Sequence, residues 1–216
     1  SPEQKKCKEL VLAMHQTSIT AGRHRDDWKQ AAAAWKSYRD QQAELEPLLK
    51  ASKPRERQFE PAVTEIRNKM QSTMTRVGNQ HVKTLSAATE KLIETPNFNT
   101  KTAQTVSRKI KEFEEFLNGF DVVSDFAAAT MQRWEQKKAG LERRFKTRKA
   151  AYDRHARAAA RVDAAEQKLQ GLEADWVAKG TLQPDAAGEL KNELQQINNI
   201  KRSEEHTSEL QSLLII

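Results

Sequence analysis

The densest chemistry in this chain is cationic. Lys137, Lys138, Arg143, Arg144, Lys146, Arg148, Lys149, Arg154, Arg157 and Arg161 crowd one stretch in which Glu142 and Asp153 are the only acids. Cations at such density attract polyanions, so these ten residues are the candidate binding site. The competing reading is structural: long basic stems cover an apolar seam, or pair with carboxylates of a segment beyond Lys201. Single-stranded nucleic acid asks for exposed stacking aromatics, yet Phe145 and Tyr152 fall on the face that reads as buried.

Other chemistry is sparse. No glycine-rich phosphate loop, His-Glu-x-x-His pair, zinc spacing or nucleophile elbow occurs. Cys7 is the one cysteine, which excludes an internal disulfide and a cysteine-based zinc site and fits a reducing compartment or indifference to redox. The five histidines are scattered, and His24 and His155 occupy seam positions, where a polar residue sets register more often than it binds a ligand. Asp26-Asp27 and Glu114-Glu115 are sequence neighbours, which point about 100° apart on a helix and cannot converge on one atom. The expectation is a non-enzymatic protein with no cofactor, no metal and no small-molecule substrate.

The elements that carry these residues read as helices. Across 216 residues there are only seven glycines and six prolines, with Ala, Lys, Glu, Gln and Arg abundant. An apolar share of 37% and a mean hydropathy of −0.84 suit a narrow buried seam rather than a thick core. A seven-residue step runs through Cys7, Met14, Ala21, Trp28, Trp35, Gln42 and Leu49, with a companion through Leu10, Thr17, His24, Ala31, Tyr38 and Leu45. This predicts one helix over about 3–50, weakest between Thr17 and His24, with Ser1 as cap. Pro47, Pro54 and Pro61 end or bend it. Phe59, Val63, Ile66, Met70, Met74 and Val77 begin a second helix over about 60–94, and Asn97 or Asn99 can cap the next.

The third helix, over 100–179, has the clearest period. Val106, Phe113, Phe120, Ala127, Trp134, Leu141, Arg148, His155, Val162, Leu169 and Trp176 are all apolar except Arg148 and His155. Register holds across Asn118-Gly119, and an unbroken helix would be about 120 Å long. Gly180 and Pro184 end it, and a fourth helix follows over about 186–201. The fold class expected is all-α: an elongated antiparallel helical bundle or coiled coil of three long helices plus a truncated fourth, forming one domain over 1–201. Trp28, Trp35, Phe113, Phe120, Trp134, Leu141 and Trp176 are the packing seam, all four tryptophans reading as core. The seam from Trp134 to Val162 is expected to lack its natural partner helix unless the first helix or a second chain covers it.

Two resemblances bear on these readings. The run from Arg202 to Ser212 resembles the in-frame translation of a short-read sequencing adaptor, which makes 202–216 a non-native tail and leaves 36 Lys and Arg against 27 Asp and Glu, raising the formal charge from +7 to +9. Arg144, Lys149, Tyr152, Asp153 and Arg154, on a long helix followed by a return, resemble the basic middle helix of BAR domains; this implies an antiparallel dimer that binds acidic membranes. A faint similarity to bZIP regions departs at Thr147 and His155, where that family carries Asn and Arg, so sequence-specific DNA reading ranks low. No run approaches the roughly 20 apolar residues of a membrane span. The reading is a cytoplasmic coiled-coil scaffold or adaptor that self-associates or meets another coiled-coil protein. Peripheral binding to an anionic membrane is the alternative, and nonspecific nucleic-acid binding ranks third.

Overall fold

The computed structural model describes residues 2–24, 26–50, 57–180 and 184–213, with the side chains of 185, 188–200 and 202 in the last stretch. It is all-α, with no strand among the described residues. The helices are α1 Pro2–Arg23, α2 Trp28–Lys50, α3 Glu60–Ile93, α4 Thr100–Gly119, α5 Ser124–Lys179 and α6 Pro184–Leu213. Ser1, Pro54 and 214–216 of the suspected tail lie outside the described residues. The chain divides into two compact units, Ser1–Lys146 and Thr147–Ile216.

Two of the expected long helices are broken. The helix predicted over 3–50 is interrupted after Arg23, and α2 folds back along α1, so that Lys6 pairs with Glu44 at 2.8 Å and Thr17 Oγ1 donates to Gln41 Oε1. Asp27 starts α2 as a cap: its Oδ1 accepts the backbone N–H of Lys29 and of Gln30. The helix predicted over 100–179 breaks where Phe120 (φ −124, ψ 15) and a 3-10 turn over Asp121–Val123 separate α4 from α5. Ala127, at φ −146 and ψ 51, is non-helical within α5. Asn99 caps α4 by accepting from the Thr102 N–H at 2.9 Å.

In the first unit, α3 is the shared wall. Its N-terminal part packs against the α1–α2 pair through Cys7, Met14, Ala31, Tyr38, Leu45, Val63, Ile66 and Met70, all buried. Its C-terminal part packs against α4 through Val106 and Phe113. It also meets the start of α5, where the Trp134 ring lies on Gly78 and Trp134 Nε1 donates to Asn79 Oδ1 at 2.9 Å. An aromatic junction joins these layers. Phe116 sits 5.5 Å from Trp28, 4.7 Å from His81, 5.3 Å from Phe120 and 5.4 Å from Trp134, ring centre to ring centre, while Trp28 covers Gly119.

His81 gives this junction a pH dependence. Its Nε2 is buried without a hydrogen-bond partner, and burial pushes the imidazole below its ordinary value of 6.5; Glu112 pulls it up and Lys109 pulls it down, both more weakly. The unfolded chain therefore takes up this proton first as pH falls. Stability contributed by neutral His81 is complete above about pH 6.5 and is lost as pH drops from there toward the lower folded value. We expect the melting temperature to fall more between pH 7.5 and 5.5 in the wild type than in His81→Phe. Equal falls in the two proteins would contradict this.

In the second unit, α6 returns along the later part of α5. Lys168 Nζ reaches Glu193 at 3.0 Å and Glu189 at 3.9 Å, and the hydrogen bond it donates to Glu193, together with that carboxylate's charge, holds the ammonium above its usual range. Among the described residues of this unit only Ala151 and Ala165 are buried. Val162, Leu169, Leu172, Leu190, Ile197 and Ile200 are half-buried, and Trp176, Val177 and Leu194 are exposed. The core thus ends near Leu141 and Phe145.

Candidate polyanion-binding surface

The ten cations all lie on α5, five in each unit. In the first unit, α5 runs in the same direction as α3, so Lys137 and Arg144 come beside the end of α3. Lys137 Nζ lies 2.8 Å from Glu90 Oε1; Arg144 pairs with the same carboxylate at 3.2 Å and with Glu94. Lys138 reaches Glu142, one turn further on, at 2.9 Å. Arg143 and Lys146 are exposed. Exposed ion pairs are each worth about 0 to 1 kcal/mol, so these contacts orient α5 on α3 more than they stabilise it. They also neutralise part of the positive field a polyanion would feel.

In the second unit the cations differ in kind. Arg148 is half-buried, and Lys149 pairs with Asp153 at 2.6 Å. Arg154, Arg157 and Arg161 are exposed, have no ion pair among the described residues, and recur at spacings of three and four, which puts them on one helix face. These three, and Lys146 in the first unit, which also has no ion pair among the described residues, are the part of the predicted site with its charge available. Tyr152 and Phe145 are both half-buried.

The seam residues separate similarly. Trp35, Phe113, Phe120, Trp134 and Leu141 are buried, and Trp28 is half-buried under the junction rings. Trp176, expected on the seam, is instead 52% exposed. The expectation that the seam lacks a partner helix is corrected for its first part, where α3 covers Trp134 through Gly78 and Asn79 and ion-pairs with α5 at Lys137 and Arg144. Glu90 and Glu94 were missed as partners of the basic stretch. Their signal was available, since no Asp or Glu occurs between Glu65 and Glu90.

No group of three or more His, Cys, Asp or Glu among the described residues is placed to hold a metal ion, and no described helix is long and apolar enough to cross a membrane. No family model, curated protein or solved structure matches the chain.

Proposed function

We propose that this protein is a non-enzymatic helical scaffold or adaptor, and that residues 147–201 are its associating part, pairing as antiparallel coiled coil with a second copy or with another coiled-coil protein. The observation that carries the reading is the half-buried seam of that unit. Val162, Leu169, Leu190 and Ile197 keep a heptad-type spacing but share only two helices between them, and Trp176, Val177 and Leu194 remain in water. Apolar side chains gain about 25 cal/mol per Å² removed from water, so a third or fourth helix laid on this seam is favoured. Sedimentation equilibrium tests it. The expected result is a mass that rises above 24.6 kDa with concentration, and returns toward it in Trp176→Ser/Val177→Ser/Leu194→Ser, whose altered side chains are already exposed. A monomer at every concentration would remove self-association.

A second reading, BAR-like peripheral binding of anionic membrane, draws on Arg154, Arg157 and Arg161. Cations beside an acidic leaflet contribute about 1 kcal/mol each, so three on one face change partitioning by about a hundredfold. Pelleting with acidic but not neutral vesicles would favour it, and its absence would leave the scaffold reading alone.

A further inference from the structure

Between α3 and the start of α5, within the first unit, an open cleft of about 660 Å³ is walled on one side by Ser72, Thr75, Arg76, Asn79 and Lys83, and on the other by Phe126 and Ala127. The kink at Ala127 belongs to the second wall. A volume of this size lies within the range of small-molecule sites.

The lining is one-sided in charge and in hydrogen bonding. No carboxylate lines the cleft, and α3 carries no Asp or Glu from Ile66 to Thr89. An ordinary solvated face in this chain mixes signs, as α4 does with Lys109, Lys111, Glu112, Glu114 and Glu115. Arg76 and Lys83 are exposed, have no ion pair among the described residues, and stand seven residues apart, about 10 Å along the helix. Between them is Asn79. Its Oδ1 already accepts the Trp134 indole N–H, so what its amide still offers is chiefly donors. Two cations and an amide donor at this spacing call for oxyanion acceptors at both ends of a ligand, and the side-chain amides of Asn79 and Gln80, on the turn between the cations, can hydrogen-bond the hydroxyls of a polar body held there.

We propose that this cleft binds a small polyhydroxylated molecule carrying an oxyanion at each end, the chemical class of sugar bisphosphates and sugar dicarboxylates. The site is separate from the associating unit and stands or falls independently of the scaffold reading.

The test is a titration of the full chain with fructose 1,6-bisphosphate, with fructose as the neutral control, followed by the indole N–H resonances of the tryptophans in a proton–nitrogen NMR spectrum. Trp134 reports on the site because Asn79 is its acceptor; Trp176, exposed in the other unit, reports on general electrostatics. The expected result is a saturable shift of Trp134 with Trp176 unmoved, and affinity about tenfold weaker in Arg76→Ala and in Lys83→Ala. Both side chains are exposed, so these variants keep their fold. The proposal is overturned if Trp134 does not shift, if fructose shifts it equally, if Trp176 moves in parallel, or if neither substitution weakens binding.

Discussion

Gly78→Ala lowers the free energy of unfolding by about 3 kcal/mol. A Cβ at this position would stand 2.1 Å from Cη2 and 2.6 Å from Cζ2 of Trp134, far inside contact distance. Alanine gains about 1 kcal/mol of helix propensity over glycine, and an exposed helical glycine would show that gain. Here the gain is overwhelmed. The indole must move away from α3, and in moving it releases Asn79, leaving a buried N–H without its acceptor. Chemical denaturation followed by circular dichroism measures the loss. Adding Trp134→Phe to Gly78→Ala should recover part of it, because the smaller ring vacates the space the new methyl needs; strict additivity of the two losses would show that the ring and the glycine do not act on one another.

Phe116→Ala costs about 4 kcal/mol. Phe116 is fully buried, and its ring contacts those of Trp28, His81, Phe113, Phe120 and Trp134, so its removal opens a cavity with aromatic surfaces on α2, α3, α4 and α5. Rings of that size cannot collapse into the space without shifting the helices that carry them. The same denaturation experiment on Leu12→Ala provides the contrast. Leu12 is 57% exposed, so its truncation should change stability by no more than about 0.5 kcal/mol. Comparable losses in the two variants would mean that the aromatic junction is not where the first unit is held together.

The helical character of the chain was legible because a seven-residue apolar step needs no tertiary knowledge to be seen. The breaks were hidden by the same regularity. Ala21, Trp28 and Trp35 stay seven apart across the turn between α1 and α2, and Phe113, Phe120 and Ala127 stay seven apart across the turn between α4 and α5. Phe120 is needed as core at the 3-10 turn, so it keeps the period while the α-helix does not. The discriminating cue was polar: Asp27 ahead of Trp28 is a cap, and a cap inside a heptad run marks a restart. The candidate site was legible only as a charge count. Which cations are spent depends on Glu90 and Glu94, remote in sequence and brought near by α5 lying along α3. Trp176 shows the converse, since its residue type and spacing argued for burial and its ring is nonetheless 52% exposed.

The most direct measurement is amide hydrogen exchange along the chain at two protein concentrations. A first unit with a continuous core should exchange only through global unfolding, whereas a second unit resting on Ala151, Ala165 and a half-covered seam should open locally and exchange fast when dilute. We expect protection from Val63 to Leu141 to be high and insensitive to concentration, and protection from Val162 to Ile200 to be low and to rise as association supplies the missing helix. Uniformly high protection of both stretches in the dilute monomer would contradict the account.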